Sequence, residues 1–126
     1  MNNQYQNEVN VKYKDTEAYK EYLTKSKYYT EDQFNIINQN FNSIFIEFSN
    51  LLKNGIKPND PLVQSKVKYL KDFISSYYYT CTNEILKSLS EIYTSDERFK
   101  KNIDKNLQGT STYIKQAIDI YCLNNK

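Results

Sequence analysis

The 126-residue sequence contains no histidine and no tryptophan, and only two glycines, two prolines and two cysteines. Without histidine the chain lacks the side chain that most often serves as general base near neutral pH and as ligand for transition metals. Gly55 and Gly109 stand far apart as single residues, so no glycine-rich phosphate loop can be built. The two thiols, Cys81 and Cys122, lack zinc-ligand spacing, and free thiols are expected rather than a disulfide framework. No cofactor or metal is expected. No apolar run approaches the ~20 residues needed to cross a bilayer, and Met1 to Glu8 has neither the basic cluster nor the apolar core of an export signal. A cytoplasmic protein without membrane contact is expected. Charge of one sign is also missing: 17 Lys and Arg face 15 Asp and Glu, a net +2, with the signs mixed along the chain. Nucleic-acid binding needs a concentrated basic face, so no such contact is expected of this chain itself.

What is present is helical periodicity. The few glycines and prolines fall where helices should begin or end, which points to an all-α fold. Thr30-Glu31-Asp32-Gln33 reads as a capping box before Phe34, Ile37, Phe41, Ile44, Phe48 and Leu51, an amphipathic helix closed by Asn54-Gly55. Asp60 caps a second long helix with Pro61 at its first position, and its apolar face is expected to run Val63, Val67, Leu70, Ile74, Tyr77, Cys81. Thr82 or Asn83 opens a shorter helix carrying Ile85, Leu86, Leu89, Ile92 and Tyr93; Ser95-Asp96 restarts the chain into a turn with Phe99 and Ile103, and Gly109 ends that segment. From Ser111 a last helix turns Ile114, Ala117, Ile118 and Tyr121 inward, leaving Leu123 to Lys126 to fray. Upstream, Thr16 caps a helix with Ala18, Tyr19, Tyr22 and Leu23, whose apolar stripe is the thinnest of the set.

Few residues offer chemistry. The carboxylate pairs Glu31-Asp32 and Asp96-Glu97 lie in first helical turns, where capping and the helix dipole account for them. Tyrosine is the compositional surplus, with 13 copies, and Tyr77-Tyr78-Tyr79 spreads phenols around most of a helix's circumference. Clustered phenols suit the wall of a wet cleft for a large, flat, mostly apolar molecule; equally, they serve as core fillers whose hydroxyls reach water. Cys81, beside Tyr77 and Tyr78, faces either the core or such a cleft, with no adjacent cation to activate it.

Taken as a pattern, the same segments resemble the TipAS antibiotic-recognition domain, the C-terminal effector domain of some MerR-family transcription regulators. The likeness runs from Glu8 to Cys122. Its most specific part is Ile92-Tyr93-Thr94-Ser95-Asp96-Glu97-Arg98-Phe99 with Asn102-Ile103-Asp104 and Gly109, similar to the family signature Y-x-S-D-x-R-F…N-I-D…G. Asp15-Thr16-Glu17-Ala18-Tyr19, Tyr28-Tyr29-Thr30-Glu31-Asp32 and the segment Gly55 to Gln64 match further stretches, although Tyr13-Lys14 replaces the family's tryptophan-glycine pair and a histidine common in its second long helix is absent. The resemblance implies a globin-like bundle of five to six helices without haem. It implies one domain over 1–126, with a mobile lid over 1–29 and a helical core over 30–123. It further implies a cleft for bulky, largely apolar antibiotics such as thiopeptides. The function expected is effector sensing in a MerR-type regulator or drug sequestration by a stand-alone protein, not catalysis. With no winged-helix or coiled-coil region in this sequence, dimerisation is expected only in attachment to one. The candidate ligand-binding residues are Tyr13 and Tyr19 from the lid, and Tyr77, Tyr78, Cys81, Tyr93 and Tyr113 from the helices framing the cleft. Some family members trap a dehydroalanine of the ligand with a cysteine, and Cys81 is the thiol in the corresponding region. The alternative reading is a helical protein-protein interaction module, its surplus aromatics forming a docking patch.

Overall fold

A computed structural model describes residues 17–126. Six helices account for the described residues: α1 (Glu17–Ser26), α2 (Glu31–Lys53), α3 (Pro61–Tyr77), α4 (Asn83–Ser95), α5 (Glu97–Asp104) and α6 (Thr110–Asn124). No strand occurs among them, and none of these helices is long and apolar enough to cross a membrane.

The starts of the helices follow from local hydrogen bonding. At α2 the reciprocal capping box forms: Thr30 Oγ1 accepts from the Gln33 N–H at 3.1 Å, and Gln33 Oε1 accepts from the Thr30 N–H at 2.8 Å. Asp60, Thr82 and Asp96 cap α3, α4 and α5 in turn, each side chain accepting from an N–H in the first turn. Two glycines supply the left-handed backbone that other residues adopt at a cost: Gly55 (φ 74°) closes α2 and Gly109 (φ 94°) precedes α6. Gly109 has no side chain with which to cap α6. The cap comes instead from α5, where Asp104 Oδ1 accepts from the Ser111 N–H at 2.8 Å while Oδ2 takes the Lys100 ammonium at 2.9 Å. This explains why an Asp near the end of one helix and a Gly before the next belong to one local pattern.

α6 is the centre of the packing. It lies against α2, α3, α4 and α5, most extensively against α4, and Ile114, Ala117 and Ile118 on its inner side are fully buried. Phe48, Val63, Val67, Leu70, Leu86 and Ile103 complete the same core from the other helices. α1 packs on α3 and, among its described side chains, buries Tyr22, while Leu23 is half exposed, in keeping with its thin stripe.

Two readings of the sequence are corrected, and a third is not tested. α3 stops at Tyr77 rather than running on to Cys81: the N–H groups of Tyr78 and Tyr79 both converge on the Ile74 carbonyl, and Ser75 Oγ accepts from the Cys81 N–H at 3.0 Å, which folds the chain into a short connection before α4. With the helix ending there, Phe73 takes the inward position and Tyr77 is left 38% exposed. α6 begins at Thr110 and continues to Asn124, taking in Leu123 and Asn124, which were expected to fray. The expected Thr16 cap lies outside the described residues.

Burial alone would raise the Asp104 pKa, but the Ser111 N–H and hydroxyl and the Lys100 ammonium outweigh it and hold the carboxyl below its ordinary value. A carboxyl lowered in the folded state adds stability above its unfolded pKa and loses it as pH falls through the folded one. Asp104→Ala should therefore cost about 1–2 kcal/mol at neutral pH. In urea melts the gap to the parent should narrow as pH drops below ~4; a gap independent of pH would remove the charged cap from the account.

Candidate functional site

Eight of the aromatic side chains form one connected system. Ring centroids lie 4.8 Å apart for Tyr77 and Phe73, 5.9 Å for Phe73 and Phe41, 5.1 Å for Phe41 and Phe45, 5.5 Å for Phe45 and Tyr93, and 5.9 Å for Tyr93 and Phe99. Tyr78 sits against Phe41, Phe73 and Tyr22, joining α1 to the same system. Helical spacing sets this out: Phe41 and Phe45 are one turn apart on α2, and Phe73 and Tyr77 one turn apart on α3.

At the Tyr77 end the aromatic system reaches solvent. A cleft of ≈ 170 Å³ opens where the α1–α2 turn, the first half of α2 and the end of α3 meet, lined by Tyr29, Gln33, Ile36, Ile37, Asn40 and Tyr77. Its walls are almost wholly apolar, with Ile36 and Tyr77 exposed in it. Gln33 and Asn40 supply carboxamides at its edge. Elsewhere, a hollow of ≈ 360 Å³ between the far halves of α2 and α3 is bordered by the 2.6 Å Glu47–Lys66 ion pair, and another on α5 is lined entirely by charged and polar residues such as Lys101 and Lys105. Only the first of these three suits a flat apolar molecule with a few polar groups.

Tyr29 holds the cleft together. Its ring meets Phe34 edge-on at 5.4 Å, and its hydroxyl donates to the Tyr77 carbonyl at 2.9 Å. Burial first, then the neighbouring Tyr77, raises its pKa, so the phenol stays a donor across the ordinary pH range. Tyr29 was not picked out in the sequence, yet a signal for it exists. It precedes the Thr30 cap, and Phe34 is the fourth residue of the helix, the spacing of a hydrophobic staple.

The structure places the candidate residues at different depths. Tyr77 lines the cleft and Tyr78 lies beneath it, buried. Tyr19 is half-buried on α1. Tyr93 is buried at the centre, its phenol raised well above the usual value by burial and by Tyr79, Cys81 and Tyr78 nearby. Tyr113 lies elsewhere, its hydroxyl donating to the Ile56 carbonyl at 2.6 Å and tying α6 to the α2–α3 loop. Tyr13 falls outside the described residues. Two further carboxamides, those of Asn38 and Asn42 one turn apart on α2, bury their Oδ1 atoms without a hydrogen-bond partner among the described residues.

Cys81 is buried in the α3–α4 connection, 3% exposed, and burial pushes its thiol up to about 12 although the Lys71 ammonium pulls the other way. Cys122 on α6 is also raised, but is only partly buried. Among the described residues no three His, Cys, Asp or Glu side chains are grouped so as to hold a metal ion.

The family model of the TipAS antibiotic-recognition domain matches residues 5–121. The HTH-type transcriptional activator mta of Bacillus subtilis is 35% identical over 94 residues, which cover 75% of this chain and 36% of that protein. The HTH-type transcriptional activator TipA of Streptomyces coelicolor is 29% identical over 115 residues, 91% of this chain and 46% of that protein. The chain thus spans less than half the length of the curated relatives it matches. Among solved structures, TipAS from Streptomyces lividans in complex with nosiheptide, from a thiopeptide antibiotic multidrug resistance system, superposes with a TM-score of 0.82 at 27% identity, covering 98% of this chain and 86% of that one.

With so few thiolates at Cys81, alkylation by iodoacetamide at pH 8 should be at least ~100-fold slower than at a free thiol. Peptide mass spectrometry should find Cys122 labelled first and Cys81 only after denaturation; equal early labelling would contradict the burial described.

Proposed function

We propose, because the chain belongs to the TipAS antibiotic-recognition family, that it binds a bulky, largely apolar antibiotic of the thiopeptide kind. The observation that carries the proposal is the apolar cleft at the junction of α1, α2 and α3, which opens onto the connected aromatic system. A ligand settling there covers Ile36 and Tyr77 and rests on the layer formed by Phe73, Phe41 and Tyr78. Apolar burial supplies most of its affinity and the carboxamides of Gln33 and Asn40 orient it. Tyr77 and Tyr78 are the central binding residues in this reading. Tyr19 and Tyr13 belong to the segment proposed as a lid over residues 1–29, ordering over the bound drug. Cys81, with its thiol held protonated, contributes packing, and Tyr93 and Tyr113 support the wall from behind.

The protein's role is recognition, not catalysis. Either it senses an effector for an attached DNA-binding and dimerising region of MerR type, as the names of its relatives suggest, or it sequesters the drug on its own. Both roles place it in the cytoplasm.

A ligand that binds only the folded form must stabilise it. Nosiheptide or a related thiopeptide, at about a hundredfold excess over its dissociation constant, should add ~2.7 kcal/mol and raise the melting temperature by roughly 10 °C. A broad thiopeptide panel without any shift would sink the proposal. Tyr77→Ala, at an exposed position, should weaken binding about tenfold while leaving the ligand-free melting temperature within a few degrees; an unchanged affinity would move the site away from this cleft.

A further inference from the structure

The asparagines of α2 divide by environment. Asn35, Asn40 and Asn50 are exposed, where water serves the carboxamide. Asn38 and Asn42 are partly buried, and their Oδ1 atoms are shut away without a hydrogen-bond partner among the described residues. A buried carbonyl that meets no donor is costly, and a leucine of similar size would avoid that cost. Two such groups one turn apart therefore need a reason beyond packing.

Their place on the helix supplies one. Phe34, Asn38, Asn42 and Phe45 follow one another at four, four and three residues, so they form a single row along α2. The row begins at Phe34, which meets the cleft-lining Tyr29 edge-on at 5.4 Å, and ends at Phe45, which meets Tyr93 edge-on at 5.5 Å. Two acceptors thus stand between aromatic rings, in a row that starts where the cleft ends. The cleft itself, at ≈ 170 Å³, is smaller than the about 300–1,000 Å³ of ordinary small-molecule sites, so a bulky ligand must extend beyond it.

We propose that Asn38 and Asn42 are specificity-determining residues of a ligand site that continues from the cleft past Tyr29 and Phe34 along this row, their carboxamide oxygens accepting amide N–H groups of a peptide antibiotic. The proposal rests on the ligand-binding reading above. Flat apolar rings with N–H groups between them, which a thiopeptide presents, match aromatic side chains with acceptors between them. A drug of the same bulk without N–H groups leaves both acceptors unpaired and is selected against.

The experiment uses the full chain and three variants, Asn38→Leu, Asn42→Leu and, as an exposed control, Asn50→Leu. Without ligand, the first two should melt at or above the parent's temperature, since no hydrogen bond is lost. With nosiheptide as probe, each should bind about tenfold more weakly, while Asn50→Leu binds as the parent does. In the parent complex, the side-chain amide protons of Asn38 and Asn42 should show nuclear Overhauser contacts to nosiheptide. A ligand-free melting temperature lowered by more than a few degrees in both variants would make the carboxamides part of the fold's own bonding and overturn the proposal; so would parent-like affinity in both. Weakened affinity without those contacts would assign the acceptors to donors of the chain itself, which also overturns it. If the parent binds neither nosiheptide nor another thiopeptide, the ligand reading itself fails and this proposal with it; loss confined to the variants leaves that reading standing.

Discussion

The C-terminal end of α3 is the constraint around which the candidate site is arranged. A helix that ends inside a protein must find partners for its last carbonyls, and here those partners are a lysine and a tyrosine from the chain before α2. The consequence reaches in two directions. The chain leaving α3 folds back at once, with two amides on the Ile74 carbonyl, which buries Tyr78, Tyr79 and Cys81 within four residues of one another. The chain approaching α2 is drawn against α3, which creates the apolar recess between Tyr29, Ile36 and Tyr77. Fold and site are thus joined at one short stretch of backbone.

Electrostatics plays a local part. The described ion pairs are mostly exposed contacts one turn apart, such as Lys68–Asp72 and Lys115–Asp119, and pairs of that kind add little to stability. Two are placed where geometry makes them count. Asp104 completes the start of α6, and Glu21 with Lys25 bridges α1 to the end of α3. Everywhere else the fold rests on apolar packing around α6, where the interior aliphatic side chains are wholly removed from water.

Helix starts were legible in the sequence because they depend on residues within three or four positions: Thr30 with Gln33, Asp60 with Pro61, and Asp96 before Glu97 all act as their types suggest. The end of α3 was not legible, since no glycine or proline marks it and the apolar spacing continues through Tyr77 to Cys81. Beside the local bonds onto the Ile74 carbonyl and the Ser75 hydroxyl, the last carbonyls of that helix are met by side chains some fifty positions away, which no local pattern announces. The same distinction governs the site. The tyrosine surplus pointed to an aromatic region, and Tyr77 and Tyr78 meet there, but the depth of each ring depends on which helix faces it. Tyr113, chosen by the same reasoning, instead fastens a loop. Tyr29 and Ile36 were passed over because a cleft wall on the polar side of a helix has no periodic signature.

The order of the helices along the chain adds a consequence for biosynthesis. The helix that touches α2, α3, α4 and α5 is the last of the six, so the apolar faces these four turn toward it lack that partner until its residues have been made. Phe48, Leu86 and Ile103, fully buried in the finished core, share that core with the side chains α6 brings. The final step inserts Ile114, Ala117 and Ile118 among them together. A chain cut short before α6 would leave the apolar faces of four helices without that cover, as prey for chaperones and proteases.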